Sequence, residues 1–323
     1  MRGFVFHETR GGGRFRRSLP EAPVMAAGGH DAATSHCALF SSREEADAFG
    51  EACRRWEDVD PRPTTLTPPS GGRVLLRVDG RAFRTFTKGL RWPMDERLHA
   101  CMRAAAEAIL TEFEGELAFV ASDEITVLLS PSPPFGARAR KIETLAASIA
   151  SVAFVRAMDE RIEERRGWAD VAFDARAWCV PTPEACVDSF RWRQDDCIRN
   201  SVSNLYRHVA GKRDGSAAVS VARKLARLEA EEETHRWRSC PAWFRQGAFL
   251  RRRAITSDLS EDELRRIPEA YRPSGPVTRK RIVCVSDDWV PLRWMRNPVA
   301  VLLEEAVPDP LTDLSVLASA TDE

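Results

Sequence analysis

The 323-residue chain has room for two domains, or for one large domain with tails. A hydrophobic content of 43% supports a sizeable core, while 48 basic residues are balanced by 48 acidic ones, so no chain-wide basic field marks a nucleic-acid binder and only a local patch could do so. The basic residues are 43 Arg and five Lys, a ratio that codon bias explains, and no run of eighteen apolar residues predicts a transmembrane helix.

Residues 1–40 are rich in Gly, Arg and Ala without periodicity and read as a disordered tail. Their arginines are followed by no apolar stretch, so no secretory signal is expected. Ser42 before Arg43-Glu44-Glu45 predicts a helix start, and the Pro- and Gly-rich stretch 60–72 a loop. Residues 73–78 read as a buried strand ended by Asp79-Gly80. Pro93 is placed to open a helix with Leu98, Met102, Ala105, Ile109 and Phe113 as its apolar stripe, closed by Gly115. Residues 116–121 and 125–129 read as strands joined by the polar corner Ser122-Asp123-Glu124. A second helix is predicted over about 138–165, with Ile142, Leu145, Ile149, Val152 and Val155 on one face; residues 170–179 supply a fourth strand. Thr182-Pro183-Glu184 starts a third helix reaching about residue 210. Ile198, Val202, Leu205 and Val209 line one of its faces, and Arg191, Asp195 and Arg199 form a ladder on another. Residues 221–233 read as a charged helix, and the residues after Gly247 as a strand able to pair with 281–285. The eight cysteines contain no C-x-x-C pair and no His at zinc-finger spacing, so they read as small buried thiols of a reducing, cytoplasmic protein.

The order β-α-β-β-α-β predicts an α+β fold of ferredoxin-like pattern, with helices and strands added C-terminally. The corner at 122–124 is too short for a crossover, which argues against a parallel doubly wound sheet. The domain reading is a tail over 1–40, a core with helical extension over 41–255, and a C-terminal extension over 256–323. In this pattern the first strand lies antiparallel to the third, which sets Asp79 beside Asp123 although 44 residues separate them. Two carboxylates at adjacent strand ends suit a site for two Mg²⁺ ions that activate a hydroxyl and steady a leaving phosphate. Gly80 would let the backbone approach a triphosphate. The plainer reading makes Asp79-Gly80 a turn dipeptide and Asp123-Glu124 a hairpin corner.

Five motifs decide between these readings. Val78-Asp79-Gly80-Arg81-Ala82-Phe83-Arg84-Thr85-Phe86, Pro93-Met94-Asp95, Ser122-Asp123-Glu124, Phe173-Asp174-Ala175-Arg176 and Ser189-Phe190-Arg191-Trp192-Arg193-Gln194-Asp195-Asp196-Cys197 occur in this order. Over roughly residues 73–250 the chain resembles the tRNA(His) guanylyltransferase family and its broader branch of 3′–5′ polymerases. The resemblance implies a polymerase-type palm in which Asp79 bridges two Mg²⁺ ions, the Gly80 carbonyl binds one and Asp123 the other. It implies that Asp79, Gly80, Arg81, Ala82, Phe83 and Arg84, with Ser122 and Asp123, line a nucleoside triphosphate. GTP and ATP are the implied substrates, tRNA the implied partner, and a homotetramer the implied assembly. Arg84 replaces the family's His, and Ile198-Arg199-Asn200-Ser201-Val202-Ser203-Asn204-Leu205-Tyr206 lacks the leading His of the HINNLYN signature. The Arg-Asn-Ser form is similar to the bacterial branch, associated with templated repair of tRNA 5′-ends, so strict tRNA(His) specificity is not expected.

Arg191, Arg193, Arg199 and Asn200 read as contacts to phosphates or an RNA end, against the alternative of a salt-bridged helix face. Glu124 reads either as a helper ligand or as a solvated hairpin charge, and Trp192 as a core residue. Arg251-Arg252-Arg253 read as RNA contacts or as a charged edge strand. His208 and His235 read as structural or solvated, and Lys212, just past a helix end, as a charge complementing the helix dipole, against the alternative of a triphosphate contact. A nucleotide cyclase built on the same carboxylates and a catalytically retired tRNA-binding protein are the rival readings.

Overall fold

The computed structural model of the chain describes residues 43–58, 63–167, 170–210, 219–231, 236–287 and 289–310. The reading of residues 1–40 as a tail, the cap at Ser42, Lys212 and His235 lie outside them.

Period-two alternation in β1 (Arg73–Gly80) builds both sides of the core at once. Val74, Leu76 and Val78 point to one side, where α3 (Glu96–Glu112) and α4 (Ala139–Arg161) pack through Met102, Ile109, Phe113, Ile142 and Phe154. Leu75 points to the other, joining Leu117, Phe119, Leu128 and Trp178 beneath α5 (Pro183–Ala210). β2 (Leu117–Ala121), β3 (Glu124–Leu129) and β4 (Phe173–Val180) complete the βαββαβ unit. β5 (Ala248–Ser257) and β6 (Val277–Cys284) extend the sheet to the order β4-β1-β3-β2-β5-β6, with every pairing antiparallel. The fold is therefore the expected α+β, ferredoxin-like arrangement with C-terminal additions, and the expected extension from 256 shares the same sheet through β6.

Several local expectations are corrected. Pro93 lies ahead of its helix: Asp95 is the N-cap of α3, accepting from the Arg97 amide at 3.0 Å and from the Arg97 guanidinium. Burial works against the charge on Asp95, but the Arg97 contacts and the Arg91 amide hold its carboxyl below the usual range. On α4 the buried face runs Ile142, Ala146, Ala150, Phe154 and Ala157; of the expected stripe Ile142 is buried and Leu145, Ile149 and Val155 pack against the core, whereas Val152 is 51% exposed. A short α2 (Phe83–Phe86) follows β1, and α1 (Arg43–Glu57) packs on β4 and α5.

The ladder expected on α5 does not form. Asp195 turns inward and takes both Arg293 nitrogens, at 2.7 and 3.1 Å, while Arg199 pairs with Asp196 at 2.7 Å and Arg191 lies 3.6 Å from Asp188. Gln194 accepts from the Leu292 amide at 2.7 Å, so α5 also anchors the segment leading to α9 (Pro298–Leu303). β5 lies between β2 and β6 over Ala248–Arg251, so Arg251 is not on an edge, whereas Arg253 lies beyond the pairing with β2. Arg251 is buried and donates to the Val301 and Leu302 carbonyls at the end of α9, and Arg253 pairs with Glu305 at 2.9 Å. All seven described cysteines are free thiols. No described helix is long and apolar enough to cross a membrane.

Candidate active site

The face of the sheet under α5 carries two polar rows. In one, Arg176, Arg77 and Thr126 stand in register across β4, β1 and β3; in the next, Asp174, Asp79 and Glu124 do. The same alternation that sends Val78 into the core sends Arg77 and Asp79 to this face. Asp123 sits at the β2–β3 corner. The Gly80 amide donates to its carbonyl at 2.9 Å, which ties the end of β1 to the start of β3. Ser122 makes the corner with φ 54°, and its hydroxyl donates to Asp123 Oδ1 at 2.8 Å. A left-handed non-glycine backbone is strained and persists where the surroundings fix it. Ala82, at φ 58°, is a second such residue, immediately after the strand.

Burial and the neighbouring Asp123 raise the Asp79 carboxyl above its ordinary range; Asp174 adds to this, while Arg77 and Arg193 oppose it. A carboxylate raised by burial and by its neighbour's charge marks a site short of positive charge. Glu124 is not a solvated hairpin charge. It lies 3.2 Å from Arg193 and 3.9 Å from Arg77, and burial pushes its carboxyl up to about 7 against the pull of both arginines.

The segment after β1 turns sharply. The Arg81 amide bonds the Ala172 carbonyl at 2.8 Å, and the amides of Ala82, Phe83 and Arg84 find no backbone acceptor among the described residues. Such amides at the start of a helical turn are donors for anionic oxygens. Phe83 is buried against Phe86, Phe154 and Phe173, with ring centroids 5.2–5.3 Å away, while Arg81 and Arg84 are exposed. A β-carbon on Gly80 would lie 2.3 Å from Phe83 Cδ2, so the missing side chain also makes room for this ring.

A cavity of about 330 Å³ opens from the carboxylates toward α3, α5 and α7 (Ala242–Gln246). Asp79, Ser122, Asp123 and Glu124 form one end; His99, Trp243, Asn200 and Asn204 line the other. His99 stacks on Trp243 with centroids 4.5 Å apart and planes 11° from parallel. Burial, aided by Arg103, pushes the imidazole down to about 4, so it is neutral near pH 7.

Of the residues expected at the site, Arg193 and Asn200 line this cavity, and Arg199 reaches it through Asp196. Arg191 instead lies over the Phe49 ring of α1, 4.7 Å from its centroid. Trp192 is buried, as expected. His99, Trp243 and Asn204 were not foreseen as cavity residues. The usable signal for His99 was its place one turn after Asp95; nothing local ties Trp243 to the site.

Among the described residues, no group of three or more His, Cys, Asp or Glu side chains is arranged around a metal position. The pair Asp79 and Asp123 nevertheless fits Mg²⁺, which prefers hard oxygen donors and takes only one or two carboxylates, with phosphates and water completing its shell. The raised Asp79 carboxyl is the charge imbalance that a bound dication relieves.

Residues 55–181 match the family model described as tRNAHis guanylyltransferase. The chain is 25% identical over 201 residues to tRNA(His) guanylyltransferase 2 of Arabidopsis thaliana, covering 58% of this chain and 37% of that protein. It is 33% identical over 135 residues to tRNA(His) guanylyltransferase 1 of the same plant, covering 41% and 24%. It is 31% identical over 137 residues to the Schizosaccharomyces pombe tRNA(His) guanylyltransferase, covering 41% and 51%. The chain thus spans from 24% to 51% of the length of these curated relatives. Among solved structures, a bacterial tRNA(His) guanylyltransferase-like protein in complex with ATP superposes with a TM-score of 0.51 at 22% identity, over 64% of this chain and 87% of that one. The Saccharomyces cerevisiae enzyme does so with a TM-score of 0.52 at 22% identity, over 58% and 89%. These likenesses establish a palm-like fold.

Proposed function

We propose, for a chain whose residues 55–181 match the tRNAHis guanylyltransferase family model, a Mg²⁺-dependent nucleotidyltransferase that adds G or templated nucleotides to tRNA 5′-ends in the 3′–5′ direction. The observation that carries this reading is the Asp79–Asp123 pair, joined by the Gly80 amide and lining the cavity of about 330 Å³.

In this reading Asp79, the Gly80 carbonyl and Asp123 would hold the metal ions. Bound Mg²⁺ supplies charge that activates the attacking hydroxyl and steadies the leaving phosphate. The amides of Ala82, Phe83 and Arg84 orient the triphosphate oxygens, with Arg81, Arg84 and Ser122 beside them. Neutral His99, held flat by Trp243, gives a nucleobase a hydrogen-bonding edge and a stacking wall. First, a 5′-phosphate oxygen of the RNA attacks the α-phosphate of ATP and pyrophosphate leaves. The 3′-hydroxyl of GTP then attacks the activated 5′-phosphate and AMP leaves. In this reading Arg193, Arg199 and Asn200 of α5 contact the RNA phosphates, while Arg191, which lies over Phe49, is turned away from them. The protein works in the cytoplasm as a homotetramer.

The test is to offer 5′-monophosphorylated tRNAs, intact and 5′-truncated, with ATP and each nucleotide, and to sequence the 5′-ends. Growth of the 5′-end by complementary nucleotides is expected. A cyclic product from GTP without RNA, or tRNA binding without transfer, would contradict the reading.

A further inference from the structure

A carboxylate outside the βαββαβ unit controls the positive charge beside Asp79. Arg77 and Arg176 stand directly opposite one another on β1 and β4, and Arg193 reaches the same place from α5. Like charges in register on neighbouring strands repel. Arg193 already pairs with Glu124 at 3.2 Å; unrestrained, Arg77 would close on Asp79, 3.7 Å away.

Glu57, the last residue of α1, sits among them with its side chain 2% exposed. It pairs with Arg77, takes Arg193 Nη2 at 2.6 Å and lies 3.9 Å from Arg176, whose closer partner is Asp58 at 3.1 Å. With Arg77 drawn toward Glu57, its nearest nitrogen stays 3.7 Å from Asp79 Oδ2. That is beyond a hydrogen bond, so both Asp79 oxygens keep their lone pairs for a cation. In a low-dielectric site a full guanidinium contact would cancel most of the charge that attracts the cation.

We propose that Glu57 is a positioning residue of the metal site: by holding Arg77 and Arg193 it keeps Asp79 available to a divalent cation. This rests on the reading of Asp79 and Asp123 as a Mg²⁺ site. The Glu57 side chain is 2% exposed and does not line the cavity at Asp79 and Asp123, so the dependence on it is a property of the metal affinity and not of nucleotide contacts.

The experiment titrates Mn²⁺ into the full chain without RNA or nucleotide and counts bound ion by electron paramagnetic resonance. Glu57→Gln is expected to weaken Mn²⁺ binding roughly tenfold, about one 1.4 kcal/mol step. The Mg²⁺ needed for half-maximal GTP transfer should rise by a similar factor, while the KM for GTP at saturating Mg²⁺ stays unchanged. Glu57→Asp should recover part of the affinity, and adding Arg77→Met to Glu57→Gln should recover most of it, because the competing cation is gone. Unchanged Mn²⁺ binding by Glu57→Gln beside normal wild-type binding would overturn the role of Glu57 alone. So would a loss that Arg77→Met does not repair, since that is the signature of a damaged fold. Absence of Mn²⁺ binding by the wild-type protein would overturn the metal reading and this inference together.

Discussion

Gly80 has no room for a side chain, since a β-carbon there would lie 2.3 Å from Phe83 Cδ2 and 2.5 Å from Cε2. Gly80→Ala is expected to cost about 1–3 kcal/mol through forced repacking of the Phe83 cluster. A lower denaturant midpoint at unchanged slope would register it; an unchanged midpoint would show that the ring yields freely. His99 gives a pH dependence. Its folded value of about 4 lies below the ordinary 6.5 because the imidazole is buried. The stability it contributes is therefore complete above pH 6.5 and is lost as pH falls toward 4. His99→Phe should remove up to about one proton from the acid-side slope of stability against pH. Sequence reading reached Asp79, Gly80, Ser122 and Asp123 because each stands at a strand end with a short turn signature. It did not show that Gly80 also makes room for the Phe83 ring, which folds back in space onto a residue that it follows by only three positions. It missed His99 because a histidine on an apolar helix stripe looks the same whether or not an indole covers it.

At the scale of elements, α5 is the part on which most of the molecule leans. One face meets the sheet through Phe190, another meets α6 (Val221–Glu229) and α7 through Ile198, Val202 and Leu205, and Gln194 and Asp195 anchor the C-terminal segment. The Asp195 side chain is 1% exposed and that of Arg293 14%. Breaking this pair strands a buried charge, so Arg293→Ala is expected to destabilise by about 3–5 kcal/mol. Limited proteolysis should then cut near residues 289–297 before the rest, and wild-type resistance there would contradict this. Helix and strand positions were legible from periodicity, with ends mostly within three residues. The inward turn of Asp195 was not, because its partner lies 98 positions along the chain. α2 was also hidden: four residues give no period, and the Ala82 backbone that starts it, at φ 58°, has no sequence signature in an alanine.

On the scale of the whole molecule, the βαββαβ order alone led to β1 antiparallel to β3, and the short corner at 122–124 argued against a parallel sheet; the strand order β4-β1-β3-β2 agrees with both. The extension was less legible. β5 pairs with β2 over Ala248–Arg251, but residues 253–257 pair only with 277–281 of β6, leaving a two-stranded ribbon beyond the sheet. Two-stranded ribbons are marginal without a third strand. Hydrogen exchange in 253–257 should therefore be markedly faster than in 248–251, and equal protection would point to a further partner covering the ribbon. The Glu57 cluster belongs to this scale as well, since it assembles from α1, β1, β4 and α5, and no local pattern announces it. The central claim is that Asp79 and Asp123 act together as the metal-holding pair of a nucleotidyltransferase. The direct measurement is transfer of GTP to a 5′-monophosphorylated, truncated tRNA by Asp79→Asn and Asp123→Asn, with circular dichroism melting as the control. Both variants should keep the wild-type fold and lose transfer by at least about a thousandfold, the scale on which electrostatic stabilisation acts; near-normal transfer by either folded variant would contradict the account.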